Sequence, residues 1–486
     1  VTARGPTEWA HWEQAAVLLE DALPADAWRL ADLAAQADQR GGDIAARQVE
    51  VAHAYRRWEE DLRGWFAEHR EPHERALLVA AATLPSAAEE AYIYAAASSL
   101  AQRLQIDING GGLAWCPVTG LGALLEAEQE DGRIVFRRIG YAKSALRHAL
   151  ADYPLARPDL LAWLEELPTG EAATYKMGNA VAETFADLAA EHDAAEYITR
   201  AARAWGHDGL ADLAFIALSR TCLHPRVGGL VRRALYDWSR TASTPQTLKL
   251  TIARTCEPLG QTYPSIALTR LKHLATYGNS QVATEIVVTA RALANQGHRE
   301  EVLTAALDWC AETNRESLTD QMRQRRRKVG AKLFLELAKL MAPSGLPEIL
   351  DGNQAADPKL CVPGWRTVLD LYAMPGIGNK AIDQVLHQWL DAALRHAYAR
   401  TRVSAVFITA STPPITRSGS RNGIVSARPR TATAKVMIGV VQRWAVADPT
   451  DAIRTRMMED IVIPLTRPWW QRLLRILQAK LRTLAT

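Results

Sequence analysis

A mainly α fold is predicted by three features of this sequence: an irregular HEAT-like α-solenoid or helical array, with a small winged-helix-like module of helices and a β-hairpin near the N-terminus. The first feature is the stretch from Tyr263 to Trp309, YPSIALTRLKHLATYGNSQVATEIVVTARALANQGHREEVLTAALDW, where apolar residues recur at helical spacing and two glycines interrupt them. The second is the near-continuous run of short helical patterns from 171 to 400, broken at Gly206, Pro225, Pro245, Pro258, Pro264, Gly278, Gly297, Pro343, Pro358 and Pro375. The third is the passage EDGRIVFRRIGYA, where the helical rhythm yields to strand alternation around an Asp-Gly turn signal.

At 486 residues, with 48% hydrophobic and 23% charged residues, the chain has the composition of a soluble protein with roughly two to four structural units. A net charge of +3 excludes a polyanion binder acting through the whole molecule and leaves only local basic segments for that role. Arginine outnumbers lysine and alanine is abundant, a bias ascribed to a GC-rich bacterial genome. The cysteines Cys116, Cys222, Cys256, Cys310 and Cys361 are scattered, never form a CxxC pair, and are expected to be buried thiols in a reducing compartment. The opening VTARGPTEWAHWEQ has no apolar signal core, and no run of about 18 apolar residues occurs, so no transmembrane segment is predicted and a cytoplasmic protein is expected. Val1 fits either a GTG start or a fragment that has lost an N-terminal partner domain.

Residues 1–72 form the first helical segment. Trp12, Ala16, Leu19 and Leu23 share a face, and Leu30, Leu33 and Ala34 continue after Pro24. From Asp43 to His69 the positions Ile44, Val51, Tyr55, Trp58, Leu62 and Trp65 run near heptad spacing, which predicts a longer helix packed in its own domain or offered as a coiled-coil surface. Residues 73–153 form the winged-helix-like module: two helices meeting at Pro85, a glycine-rich NGGGLAW turn, a short helix over Leu121–Glu126 and a hairpin over Glu126–Arg138. On such a wing Arg133, Arg137 and Arg138 are candidates for phosphate or acidic-partner contact. The preceding helix, rich in Ala, Tyr and Glu, lacks the basic and amide side chains that read bases.

Residues 154–400 form the HEAT-like repeats. Pro264 suits a first helical turn, Ala267, Leu268, Leu271, Leu274 and Ala275 share a face, and Gly278 ends that helix. Val282, Ile286, Ala290 and Leu293 repeat the pattern until Gly297, and Val302, Leu303, Ala306, Leu307 and Cys310 follow. Trp163, Trp238, Trp309 and Trp389 recur at roughly 70 to 80 residues and are expected to wedge neighbouring hairpins together. The run RQRRRK, Arg323 to Lys328, is expected to be a solvated face.

The segment DGRIVFRRIGYAKSALRHALADYPLARPDLLAWLEELP, followed by YPSIALTRLKHLATYGN, resembles the region downstream of the nucleotide-binding domain in large actinobacterial STAND-type regulatory NTPases. The resemblance spans about Glu8 to Arg400 and implies a sensor, scaffold or autoinhibitory role in signalling or conflict systems. It carries over no nucleotide site. A GxxxxGK[ST] loop is absent, and GIGNKA at Gly376–Ala381 is too short.

Residues 401–435 are predicted to be a basic flexible loop, too poor in apolar residues to fold alone. Its Arg417, Arg421, Arg428 and Arg430 are candidates for nucleic acid or an acidic partner. Residues 436–486 hold C-terminal helices. The last, with Trp469 and Trp470 beside Arg472, Arg475, Lys480 and Arg482, either caps the array or lies on an anionic membrane. No HExxH, zinc-spaced Cys/His set or G-x-S-x-G elbow occurs, so no catalytic residue, metal or cofactor is expected. Cys222 and His224 are the one close Cys/His pair. These features together predict a non-enzymatic regulatory or scaffold protein with a protein partner, the alternative being a nucleic-acid-binding helical-repeat protein.

Overall fold

The computed structural model describes residues 9, 11–20, 22, 24–85, 88–107, 114–170, 175–311, 318–351, 358–372, 379–412 and 432–466. The protein is mainly α, with one small sheet among the described residues, and divides into two units, Val1–Ala234 and Leu235–Thr486. No helix of the described residues is long and apolar enough to cross a membrane.

The first unit opens with α1 (Glu13–Leu18), α2 (Pro24–Arg40), α3 (Ile44–Tyr55) and α4 (Glu59–Glu68). Gly41 and Gly42, both at positive φ, separate α2 from α3, and Asp43 caps α3 by accepting from Ala46 N at 3.0 Å. The single helix expected over Asp43–His69 is broken. Arg57 and Trp58 take φ of 59° and 52°, and the Trp58 indole donates to the Ile139 carbonyl at 2.9 Å. A continuous heptad seam does not exist, because this tertiary bond turns the chain and Val51, Leu62 and Trp65 are buried.

The module that follows runs α5 (Pro72–Thr83), β1 (Ala88–Glu89), α6 (Glu90–Arg103), α7 (Leu121–Leu124), β2 (Glu128–Glu130) and β3 (Arg133–Val135). Asp131 and Gly132 both hold positive φ, the two-residue turn geometry that matches strand twist and that the Asp-Gly pair favours. The sheet order is β1-β3-β2, antiparallel throughout, with Ala88 and Gln129 both opposite Ile134. Strand β1 was not expected. Its residues lie in SAAEE, which reads as helix, and it forms because β3 offers it an edge.

Helices α8 (Tyr141–Asp152), α9 (Arg157–Glu166), α10 (Tyr175–Glu191), α11 (Ala195–His207) and α12 (Ala211–Thr221) stack as short hairpins, and α13 (Gly228–Arg240) carries the boundary between the units. Gly206 lies inside α11, and the break falls instead at Gly209, which holds φ +83°. Tryptophans tie the layers: Trp65 Nε1 donates to Leu124 O at 2.9 Å, Trp163 Nε1 to Ser99 Oγ at 2.8 Å and Trp205 Nε1 to Glu165 O at 3.2 Å.

The second unit continues with α14 (Gln246–Thr262), α15 (Pro264–Tyr277), α16 (Ser280–Leu293) and α17 (Arg299–Cys310). Pro264 stands in the first turn of α15, and a five-residue π turn, Ala294–His298, joins α16 to α17 through Gly297 at φ 106°. Pro258 does not end a helix; α14 runs through it to Thr262. Then come α18 (Asp320–Ala338), α19 (Val362–Tyr372), α20 (Asn379–Arg395), α21 (Ala397–Ser411), α22 (Ala432–Val446) and α23 (Ala452–Thr466). The ends of the loop expected over 401–435 are therefore helical, residues 401–411 belonging to α21 and 432–435 to α22.

The core of α18–α21 is aromatic. Trp365 meets Trp389, Phe407 and Phe334 edge-on at 5.0, 5.3 and 5.4 Å, and Trp389 Nε1 donates to Ala338 O at 2.9 Å. Trp163, Trp309 and Trp389 are buried as expected of wedges, whereas Trp238 is only partly covered. Of the cysteines, Cys222, Cys256, Cys310 and Cys361 are buried and Cys116 is exposed, contrary to expectation.

Candidate functional site

A groove of the second unit is built by one face of α18 and the α15–α16 corner, with parts of α14, α19 and α20. From Arg325, Lys328 lies three residues on and Lys332 seven, so the three cations share a stripe about 10 Å long at 1.5 Å per residue. They line one side of a groove of about 860 Å³ with Val329, Ala331 and Leu335 of the same helix. Val368 and Leu371 of α19 and Ala381 and Ile382 of α20 supply more apolar floor. The opposite side comes from the α15–α16 corner, Ala275, Tyr277 to Ser280 and Ala283, with Gln246 of α14. Among the described residues no Asp or Glu lines it.

The α15–α16 corner is held from several sides. At Gly278 an added Cβ would lie 2.6 Å from Val282 Cγ1 and 2.7 Å from Leu274 O, so only glycine permits the tight exit. Asn279 caps α16 by accepting from Val282 N at 3.0 Å, while its own N–H donates to Gln246 Oε1 at 2.9 Å. Behind it Lys249 is fully buried, and its ammonium donates to Ala242 O at 3.0 Å and to Tyr277 O at 3.2 Å. Burial lowers the Lys249 pKa, and the neighbouring Arg325 charge lowers it further.

The basic run Arg323–Lys328 is thus not one solvated face. Arg326 is buried and donates from Nε to Thr276 Oγ1 at 3.0 Å, fixing α18 to α15. Arg327 reaches Asp370 of α19 at 2.9 Å. Arg325 and Lys328, with Lys332 a turn beyond, are left exposed along the groove, and among the described residues none of the three meets a carboxylate. Sequence reasoning missed the groove because a run of adjacent cations gives no direction to each one. The signal was the three-then-four spacing of 325, 328 and 332, with hydrophobic Val329 and Leu335 between and beyond.

The three wing arginines are placed together, but each has a carboxylate at hand. Arg137 bonds Glu128 at 2.6 Å and also Glu130, Arg138 bonds Glu126 at 2.6 Å, and Arg133 stands 4.0 Å from Glu89. Arg138 also lies over the Trp58 and Tyr141 rings at 5.5 and 5.2 Å. The helix before the wing, α7, is a single turn whose Leu121, Gly122 and Leu124 are buried, so it presents no face to a major groove. Arg417, Arg421, Arg428 and Arg430, and Trp469, Trp470, Arg472, Arg475, Lys480 and Arg482, lie outside the described residues.

A shallower hollow in the first unit holds His53 hydrogen-bonded to Asp61 at 3.1 Å, beside Glu50, Trp58 and Arg138, without a hydroxyl or thiol to activate. The Cys222 thiol is buried and donates to Ser219 O at 3.5 Å. Burial pushes the Cys310 thiol up to about 12. No group of three His, Cys, Asp or Glu side chains suited to a metal ion occurs among the described residues. No protein-family model, no curated protein and no solved structure matches this chain.

Proposed function

We propose that this protein is a non-enzymatic regulatory or scaffold protein that binds another protein through a HEAT-like helical-repeat surface, as the sensor part of a STAND-like signalling or conflict system would. One observation carries the reading: the groove along α18 combines an apolar floor with three cations that have no carboxylate partner among the described residues. A surface of this kind offers recognition without reactive groups. The pairing of Arg133, Arg137 and Arg138 with nearby glutamates favours a protein partner over nucleic acid, because those charges are already neutralised.

Affinity capture of the full chain, with and without nuclease, tests this reading when combined with a salt titration against duplex and single-stranded DNA and RNA. The expected result is a stoichiometric, nuclease-resistant protein complex. Capture of nucleic acid alone, with affinity falling steeply as salt rises, overturns it.

A further inference from the structure

We propose that the α15–α16–α18–α20 groove is a docking site for an acidic amphipathic helix of the partner protein, which sets its apolar face on the floor and its carboxylates along Arg325, Lys328 and Lys332. This inference rests on the interaction reading above and names the partner's chemistry. It starts from the shape of the charge. The three cations do not converge on a point, as a small anion requires; they are spread about 10 Å along α18, roughly two helical turns. Carboxylates spaced by three and four residues on a second helix repeat at the same interval, so paired rows form if the two helices lie side by side.

The floor supplies the second half of the match. Val329, Leu335, Val368, Leu371 and Ile382, from three helices, give the groove its apolar lining beside the charged row. Anchors at one face of an amphipathic helix fill such a groove while the flanking charges set its direction. Nucleic acid suits it less well. Among the described lining residues Tyr277 is the single aromatic one, so they offer no series of rings on which bases stack. Cations without an acidic neighbour among the described lining residues make the rim selective for negative charge.

Fluorescence polarisation on the full chain tests the assignment, using as probe a labelled peptide of about 16 Leu, Glu and Ala residues with its leucines on one helical face and its glutamates flanking them. Its scrambled isomer, poly-glutamate and a single-stranded oligonucleotide serve as competitors. The expected result is saturable binding that weakens at least about tenfold for the scrambled isomer and for the triple variant Arg325→Glu, Lys328→Glu, Lys332→Glu. These three side chains are exposed, so the variant retains the fold, which circular dichroism verifies. Ala283→Trp, on the opposite side of the groove, is expected to block the probe with all three cations intact.

No binding by the wild-type chain, or equal binding by the triple variant, overturns the docking site. Equal competition by poly-glutamate or by the oligonucleotide overturns the amphipathic helix as occupant. A captured protein partner that the triple variant retains removes the groove from the account and leaves the interaction reading standing; the absence of any such partner removes that reading itself.

Discussion

At Gly364 in α19 a Cβ would stand 2.7 Å from the Phe334 ring, and the ring is locked against Trp365. Gly364→Ala is therefore expected to force α18 and α19 apart and to cost about 1–3 kcal/mol in chemical denaturation, the usual penalty for overpacking a tight core. Trp389→Phe is expected to cost about 2–3 kcal/mol by the same measurement. It removes the indole N–H from a buried carbonyl, Ala338 O, and thins the contact with Trp365. Neither residue lines the groove, but Gly364→Ala displaces two of the helices that build it, so Trp389→Phe is the variant that separates core stability from peptide binding.

Between elements, the first unit is laced by charge. Asp187 of α10 accepts from Lys143 of α8 at 2.8 Å and from Arg220 of α12 at 2.9 Å, and Glu191 of α10 accepts from Arg147 of α8 at 2.7 Å. Burial alone would push both carboxyls up, but the hydrogen bonds and positive charges of these partners outweigh it and hold both below the ordinary carboxylate range. A depressed folded pKa means that the unfolded chain takes up protons first. The stabilisation is then complete above about pH 5.5, where the unfolded carboxyls are almost fully ionised, and is lost as pH falls through the lower folded values. Replacing Arg147 and Arg220 together by Ala is expected to move the acid unfolding midpoint to higher pH in a circular dichroism titration. An unchanged midpoint would mean that the network contributes nothing to holding α8, α10 and α12 together.

Elements were legible in the sequence where backbone chemistry marked their ends. Pro264, Gly278 and Gly297 delimit α15, α16 and the turn before α17, and Asp131-Gly132 marks the hairpin. What escaped was decided by distant partners. The α3–α4 break at Arg57-Trp58 contains neither glycine nor proline and follows from the indole bond to Ile139, while β1 exists only by pairing with β3. Pro258 looked like an end because it cannot donate to the carbonyl one turn back, yet α14 is embedded deeply enough to continue through it. The groove lay in the same blind spot. Periodicity places Arg325, Lys328 and Lys332 on one face, but only the packing of Arg326 on Thr276 and of Arg327 on Asp370 shows where that face points.

Across the whole molecule, a net charge of +3 results from 57 basic and 54 acidic residues, and many arginines of both units are engaged by carboxylates or carbonyls. Non-specific attraction to polyanions is accordingly expected to be weak. A short duplex DNA at physiological salt should bind with a Kd no tighter than about 10 µM, within the ordinary non-specific range. Submicromolar binding would show that basic residues beyond the paired ones carry a nucleic-acid function. The buried Lys249 ammonium adds a consequence of its own. Its bonds to the Ala242 and Tyr277 carbonyls tie the end of α15 to the turn before α14, so the wall of the groove is anchored from behind. Lys249→Met should then slacken that anchorage and lower the melting temperature, which calorimetry reads directly.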